Sequence, residues 1–163
     1  MSALENNPPA HLQDWAWQVG TWNVRHRRLR RRLAGCDDWE TFPGTCANWS
    51  LMGGQGNIED NLLELPSGPY RAIALRNFDV DTGQWSIWWL DARTPNIDPP
   101  VRGAFADGVG TFMGDDIFEG RPIKVRFLWT GMVTGSPRWE QAFSEDGGLT
   151  WEVNWVMDFT RVA

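Results

Sequence analysis

Cysteine, histidine, tyrosine and lysine are all scarce in this sequence. Its 163 residues include two cysteines, Cys36 and Cys46, two histidines and one tyrosine, and Lys124 is the only lysine. Two cysteines are too few for the disulfide framework of a small secreted protein, and the Cys and His residues show none of the spacings of zinc or copper sites. We therefore expect free thiols, no metal and no cofactor; a bond between Cys36 and Cys46 across a hairpin is the less favoured alternative.

Long apolar runs are also missing. No stretch approaches the ~20 apolar residues of a membrane-spanning helix. Residues 1–9 are polar and lack both the basic and the apolar region of a secretion signal. These two absences lead us to expect a cytoplasmic protein with no membrane partner.

Positive charge is concentrated in one short segment. The formal net charge is -6, which argues against a general nucleic-acid binder because such a surface repels phosphate. Six of the arginines nevertheless lie within residues 25–32. Strand geometry would divide these arginines between two faces, so we expect no nucleic-acid partner here either.

Tryptophan is abundant. The chain has 12 Trp and 8 Phe, spread along its whole length. Indole suits a pleated, half-buried surface and carries a donor at its rim. Packing of a thin β structure accounts for most of these rings, and an aromatic-lined pocket is the alternative for the rest.

Turn-forming clusters of Gly, Pro, Asn and Asp recur at roughly 8–15-residue spacing, which is typical of an antiparallel meander, sandwich or barrel. Between them lie about ten strand-like runs. We predict strands at 19–33, 39–52, 57–65, 70–78, 84–92, 101–106, 109–119, 121–130, 137–145 and 149–161. Residues 9–17 are the only candidate for a short helix, and residues 1–8 are expected to be flexible.

Alternation of side chains predicts the faces of these strands. In the last run, Trp151, Val153, Trp155, Met157 and Phe159 share one face, and Glu152, Asn154, Asp158 and Thr160 share the other. In the hairpin at Gly120-Arg121, Phe118 is expected to face Ile123. A further set then joins the inner face: Phe112, Asp116, Val125, Phe127, Trp129, Trp139, Gln141 and Phe143. An all-β, closed, antiparallel up-and-down barrel of about ten strands in a single domain, 1–163, satisfies this pattern and leaves no open edge.

The segment Ser144 to Trp151 matches the Asp-box pattern S-x-D-x-G-x-T-W. That pattern recurs in sialidase propellers, which need several copies, and this chain has one. We therefore interpret it as a hairpin turn in which Asp146 caps local backbone donors.

The segment Val19-Gly20-Thr21-Trp22 resembles the G-x-W signature that begins the first strand of lipocalins and related calycin barrels. In that group the Trp closes one end of the barrel and a basic residue near the C-terminus packs across it; Arg161 occupies the corresponding place. Residues 53–61, 83–89, 120–127 and 138–155 resemble an uncharacterised bacterial family within the lipocalin-like group. The resemblance implies a lipocalin-like fold and carries no reaction or ligand.

The arginine-rich strand supplies the first candidate site residues. If Trp22 points inward, His26 and Arg28 point inward too. A buried arginine needs an anion beside it, and the internal candidates are Asp116, Glu59 and Asp91. A ligand carboxylate or phenolate is the other candidate, so a structural ion pair and a ligand site both remain open.

Three functions are compatible with this pattern. The leading hypothesis is binding of a small, hydrophobic, planar ligand, with an anionic group allowed, in an aromatic-lined lumen. The second is an isomerase, cyclase or hydrolase in which His26 and Asp116 form an acid–base pair. The third is a barrel filled by its own side chains that acts as a dimerisation module, and a homodimer is left open in every case. The expected ligand-binding residues are His26, Arg28, Arg76, Trp89, Asp116, Gln141 and Trp155, with Glu59 near the mouth.

Haem is a further option for His26, because some ten-stranded barrels of related shape hold haem through a histidine. The chain offers no second ligand pattern for it. No Walker A loop, dinucleotide fingerprint or G-x-S-x-G motif is present.

Overall fold

The computed structural model describes residues 8–162. The expected flexibility of residues 1–8 therefore lies outside the described residues, except for Pro8, which is exposed. No helix among the described residues is both long and apolar enough to cross a membrane.

Ten antiparallel strands form a closed barrel in which every strand pairs with its neighbours along the chain and β1 pairs with β10. This confirms the predicted fold class. The strands are β1 Gly20–Leu29, β2 Trp39–Leu51, β3 Gly56–Leu65, β4 Gly68–Asp79, β5 Gln84–Asp91, β6 Val101–Ala106, β7 Val109–Phe118, β8 Arg121–Thr130, β9 Arg138–Ser144 and β10 Glu152–Arg161.

Tight turns connect several strands. Asp107-Gly108 and Glu119-Gly120 each form a two-residue loop with positive φ at both positions, the geometry that matches the twist of the flanking strands. The second loop pairs Phe118 with Arg121. The expected pairing of Phe118 with Ile123 is therefore wrong by two residues, although the same side chains still face inward.

The first strand is shorter than predicted. It ends at Leu29, and residues 30–35 form a bend that precedes β2. Leu33 has a φ of 54° in this bend. The backbone N–H of Leu33 donates a hydrogen bond to Glu152 Oε1 at 2.8 Å, which ties the bend to the start of β10.

The predicted short N-terminal helix is present as two 3-10 helices, Ala10–Gln13 and Ala16–Gln18, which close one end of the barrel. The Trp15 ring enters that end and contacts four inner rings, those of Trp85, Phe105, Phe112 and Trp129. Asp14 accepts a hydrogen bond from Trp85 Nε1 at 2.8 Å. The N-terminal segment thus plugs the barrel, a role that the sequence pattern did not predict.

Trp22 and Arg161 meet at this closed end, which confirms the contact expected from the G-x-W resemblance. Trp22 is buried, and the Arg161 guanidinium carbon lies 4.2 Å from the ring centroid. The guanidinium donates to the carbonyl oxygens of Val19, at 2.9 Å, and Trp17. One side chain therefore fastens the plug, the first strand and the last strand.

We expect Arg161→Ala to lower the free energy of unfolding by about 1–2 kcal/mol, through loss of the stacking contact and of two charged hydrogen bonds. Urea unfolding measures this change. Arg161→Lys is the matched control, because lysine keeps the charge but loses the planar fork that reaches two carbonyls. An unchanged stability of Arg161→Ala would remove the fastening role from this contact.

The faces of β10 agree with the prediction only in its second half. Trp155, Met157 and Phe159 are buried as expected. A bulge separates Val153, which pairs with Ala142, from Trp155, which pairs with Gln141. The extra residue, Asn154, is fully buried, and Glu152 turns to the side of Leu33. The expected inward faces of Trp151 and Val153, and the expected exposure of Asn154 and Glu152, are therefore wrong.

The Asp-box segment is a hairpin turn, as predicted. Asp146 accepts hydrogen bonds from the backbone N–H and the hydroxyl of Thr150 at 2.9 and 2.6 Å. These bonds, with a third from Ser144, lower the pKa of Asp146 to about 2.

Both cysteines are free thiols, and burial, followed by the charge of Glu59, raises the pKa of Cys46 well above its usual value.

Candidate ligand cavity

A cavity of about 210 Å³ opens at the end of the barrel opposite the Trp15 plug. It lies among the inward side chains of the Arg28 end of β1 and of strands β4 to β10. Its apolar wall is mainly aromatic, formed by Tyr70, Trp89, Phe118, Phe127, Trp139, Phe143 and Trp155. Arg28, Trp89, Asp116, Gln141 and Trp155, which we expected at a ligand site, all line it.

Arg28 is the half-buried cation of this cavity. Its Nη1 donates to the Tyr70 hydroxyl at 3.0 Å. Its guanidinium carbon lies 5.2 Å from the Phe42 centroid and 5.0 Å from the Trp155 centroid. No carboxylate lies within ion-pair distance of Arg28 in the described part of the chain. The internal partners expected for it, Asp116, Glu59 and Asp91, are therefore wrong.

Two further arginines border the same mouth. Arg32 lies 5.8 Å from the Phe143 centroid; burial, and then the Arg28 charge, lower its pKa to about 10, so it stays protonated at neutral pH. Arg93 stacks on Tyr70 at 3.5 Å and forms an ion pair with Asp91 at 2.7 Å. Asp91 thus balances Arg93, whereas Arg28 and Arg32 have no such partner among the described residues.

Carboxylates occupy another part of the rim. Asp115 pairs with Lys124 at 2.5 Å, and Asp116 accepts from the backbone N–H of Ile117 at 2.7 Å. Burial, followed by the charges of Asp116 and Asp91, raises the pKa of Asp98. The mouth therefore carries both signs of charge, with Arg28 and Arg32 at the end of β1 and Asp115 and Asp116 on β7.

His26 points inward but does not line the cavity, which corrects our expectation. Its ring stacks on Phe42 with 4.7 Å between centroids, and its Nδ1 accepts from Trp155 Nε1 at 3.2 Å. A Cβ at Gly44 would lie 2.8 Å from His26 Nε2, so only glycine leaves room for the ring. Burial, and then the Arg28 charge, lower the pKa of His26 to about 3.

The predicted acid–base pair is consequently not assembled. His26 is neutral at physiological pH and lies behind Trp155, while Asp116 lies at the mouth on β7, a strand that is not adjacent to β1. His26 instead orients the Trp155 ring, which forms part of the cavity wall.

Glu59 and Arg76 lie deep in the barrel, which corrects the expected position of Glu59 near the mouth. Both are 3% exposed or less, and Arg76 Nη2 lies 2.5 Å from Glu59 Oε2. Gln18, from the plug, donates to the same carboxylate oxygen at 2.7 Å and accepts from Arg76 at 2.7 Å. Arg76 also stacks on Trp15 at 4.1 Å. The pair therefore anchors the plug to the strands.

A small second cavity of about 20 Å³ lies between this pair and the main cavity. Glu59 and Arg76 line it, and Ile87, Trp89, Phe127 and Trp139 line both cavities. Its volume suits one water-sized group. The four side chains that line both cavities separate the open, charged mouth of the barrel from its closed, polar floor.

Gln141 is held by the bulge in β10. Its Nε2 donates to Asn154 Oδ1 at 2.9 Å, so the amide that lines the cavity has a fixed orientation.

Sequence reasoning missed Tyr70, Arg32, Arg93 and Asp98 at the mouth. Tyr70 is the only tyrosine of the chain, which was an available signal. Arg93 and Asp98 lie between β5 and β6, where alternation gives no direction. Arg32 lies inside the predicted first strand, on the face of Trp22, but was not named as a site residue.

No protein-family model matches the chain, and no curated protein matches it in sequence. Among solved structures, the chain is similar to an S-type phycobiliprotein lyase from Guillardia theta, at 7% sequence identity and a TM-score of 0.55. The match covers 91% of this chain and 90% of the lyase chain. At that identity the likeness concerns the fold alone, and the closed antiparallel barrel is the fold that the sequence predicted.

Proposed function

We propose that the open cavity binds a small planar aromatic compound that carries one carboxylate or phenolate. The observation that carries this proposal is Arg28. Its guanidinium borders the cavity with a phenol and two rings around it, and no carboxylate of the described residues lies within ion-pair distance. A half-buried guanidinium in this position favours an anion from outside the chain.

The size of the cavity limits the ligand. Pockets for drug-sized molecules measure about 300–1,000 Å³, and this cavity measures about 210 Å³. A compound of one or two fused rings fits that space. The presence of a cavity also favours a binding protein over a barrel filled completely by its own side chains.

The walls favour a flat ligand. Trp89, Trp139 and Trp155 pack edge to face, with centroids 5.3 to 5.9 Å apart, so their relative orientations are set by one another. Rings held in this way offer faces and edges to a planar guest at little cost in side-chain entropy. In the proposed pose the anion faces Arg28 and Arg32, and the ring lies against Trp155.

The remaining expected site residues receive roles in the same proposal. Gln141 orients a polar substituent on the ligand, and Asp116 accepts a hydrogen bond from a donor at the mouth. Glu59 and Arg76 form the floor of the barrel interior beneath the ligand and do not contact its anion. His26 acts through Trp155, by holding that ring in place.

The test is a calorimetric titration with 2-naphthoate and with 2-naphthalenemethanol, its neutral analogue. Wild type should bind the carboxylate at least 10-fold more tightly, because a charged hydrogen bond contributes about 1.5–3 kcal/mol. Arg28→Met should reduce that preference several-fold, because Arg32 remains as the second cation at the mouth. Arg25→Met is the matched control, since Arg25 is exposed on the outer face of the same strand. Equal affinity for both compounds, or an unchanged preference in Arg28→Met, would contradict the proposal.

Thermal unfolding of the same variants separates a binding role from a structural one. A guanidinium in a structural ion pair leaves a buried orphan carboxylate when it is removed, which costs about 3–5 kcal/mol. Because no carboxylate between residues 8 and 162 pairs with Arg28, Arg28→Met should retain nearly the full stability of wild type.

A bilin is the comparison ligand, because one similar structure is a phycobiliprotein lyase and bilins are the chromophores of phycobiliproteins. A linear tetrapyrrole is too large for a cavity of about 210 Å³. We expect biliverdin to bind more weakly than 2-naphthoate. Tighter binding of biliverdin would contradict the size limit and show that the cavity expands.

A further inference from the structure

The polar floor of the barrel contains buried atoms that its own hydrogen bonds leave without partners. Gln18 and Arg76 both donate to Oε2 of Glu59, and among the described residues no hydrogen bond reaches Oε1 of this carboxylate. The Nε of Arg76 has no partner among the described residues either. Glu59 is 3% exposed and Arg76 is 2% exposed. An unpaired polar atom at such depth costs free energy, so the floor favours a guest that pairs with both atoms.

These two side chains line the small second cavity of about 20 Å³. Four other side chains line both this cavity and the main one: Ile87, Trp89, Phe127 and Trp139. The two cavities therefore adjoin across the width of single side chains. A ligand in the main cavity can place one substituent in the second.

The volume and the polar atoms together restrict that substituent. About 20 Å³ holds one water-sized group, such as a single hydroxyl. Oε1 of Glu59 needs a donor, and Nε of Arg76 needs an acceptor. A hydroxyl is both a donor and an acceptor, whereas a methyl group of similar size pairs with neither atom.

Charge excludes the other polar substituents. Glu59 and Arg76 form an ion pair at 2.5 Å, so their formal charges cancel. An ammonium group would add an uncompensated positive charge to this buried floor, and a carboxylate would add a second negative charge beside Glu59. A neutral hydroxyl adds no charge. The anion of the ligand therefore stays at the mouth, beside Arg28.

The spacing of inward residues on β5 sets the length between mouth and floor. Asp91 lines the main cavity, and Ile87, four residues earlier, lines both cavities. Four residues of an antiparallel strand extend about 13 Å, and the tilt of barrel strands shortens this to about 10 Å along the axis. Two fused rings with substituents at opposite ends are of comparable length.

We propose that the polar floor is a hydroxyl subsite and that the ligand is a hydroxylated aromatic acid. The carboxylate of this ligand faces Arg28, and its hydroxyl donates to Glu59 Oε1 and accepts from Arg76 Nε. This inference rests on the proposed function, which supplies the anion and the ring. It adds a third contact and the direction in which the ligand lies.

The test is calorimetric titration of the full chain at pH 7 with 6-hydroxy-2-naphthoate and 6-methyl-2-naphthoate. The two compounds have nearly the same shape and differ in the donor. Phenolic hydroxyls ionise near pH 10, so the hydroxyl keeps its proton. Wild type should bind the hydroxyl compound at least 10-fold more tightly, because a methyl group would leave the polar floor unpaired.

Two variants locate the contact. Ala74→Val should remove the preference, because Ala74 lines the small cavity and the two added methyl groups occupy it. Ala72→Val is the matched control, since Ala72 is a buried residue of the same strand and lines neither cavity. Glu59→Leu/Arg76→Leu makes the floor apolar and should reverse the preference in favour of the methyl compound, so the test does not depend on the folding of Ala74→Val.

Two results overturn the hydroxyl subsite and leave the proposed function intact. Equal binding of both 6-substituted compounds by wild type, with the preference for 2-naphthoate over 2-naphthalenemethanol retained, would mean that the floor does not contact the ligand. A hydroxyl preference that persists in Ala74→Val and in the double variant would place the hydroxyl at another group, such as Gln141. Failure of every naphthoate to bind would remove the proposed function and this inference with it.

Discussion

Glu59→Gln should be strongly destabilising, with a loss of about 3–5 kcal/mol in the free energy of unfolding. Within the described part of the chain, this carboxylate is the only one in ion-pair distance of Arg76, and both side chains are buried. Its removal leaves a full positive charge in the interior and weakens the bond from Gln18 that holds the plug. A loss of this size is a large part of the total stability of a small domain, and urea denaturation measures it.

Two controls give this prediction its contrast. Glu145→Gln breaks the exposed pair between Arg121 and Glu145 and should cost less than about 1 kcal/mol. The double variant Glu59→Leu/Arg76→Leu should recover much of the loss, because it removes both charges together. If Glu59→Gln has the same free energy of unfolding as wild type, burial of the Arg76 charge does not depend on Glu59.

Local signals were sufficient to predict the barrel. Turn clusters placed the strand ends, and two-residue loops such as Glu119-Gly120 require positive φ, which glycine favours. Period-two alternation then gave the inner face of most strands. Both signals act within about ten residues, so a single sequence expresses them clearly.

Alternation failed where one residue was added. The bulge at Asn154 reverses the faces of Glu152 and Val153, because a single extra residue shifts every side chain before it to the other side of the sheet. An asparagine among the apolar residues of this strand was the one sign of the bulge in the sequence. The Asn154 side chain accepts a hydrogen bond from Gln141, which lies on another strand, and no local sequence pattern connects the two residues.

Alternation also gives a face without giving a depth. Alternation predicted that His26 and Arg28 point inward. Glu59 and Arg76 were expected at the ligand site, although alternation left the faces of the third to fifth strands open. All four side chains point inward. Strand tilt and stagger decide how far along the axis each side chain lies. These quantities depend on closure of the whole barrel, so the sequence did not show that Glu59 pairs with Arg76 at the floor while Arg28 is left at the mouth.

The N-terminal plug is a non-local feature of the same kind. Trp15 and Trp17 lie in a segment whose pattern predicts only a short helix. Their burial depends on rings from distant strands, among them Phe105 and Trp129. Two roles therefore account for the abundance of tryptophan. Several indoles seal the closed end of the barrel, and others form the wall of the open cavity.

Acid should weaken the fold through His26. In the folded protein burial, and then the Arg28 charge, lower the pKa of this histidine to about 3, whereas its value in the unfolded chain is about 6.5. A histidine with a lowered pKa contributes its full stability above the unfolded pKa and loses it as the pH falls toward the folded pKa. Between pH 7 and pH 5 we expect a loss of about 2 kcal/mol from this residue, since one pKa unit corresponds to about 1.36 kcal/mol.

The measurement is urea unfolding of wild type and His26→Gln at pH 7, 6 and 5. Glutamine keeps an acceptor for Trp155 Nε1 but does not titrate, so the difference between the two proteins isolates the histidine from the carboxylates that also protonate in acid. His11→Gln is the matched control, because His11 is the other histidine and lies partly exposed against Phe78. Wild type should lose about 2 kcal/mol more than His26→Gln over this range, and His11→Gln should follow wild type. Parallel pH profiles for wild type and His26→Gln would show that His26 is free to take up a proton in the folded barrel, which would return it to the set of groups that can exchange protons with a bound ligand.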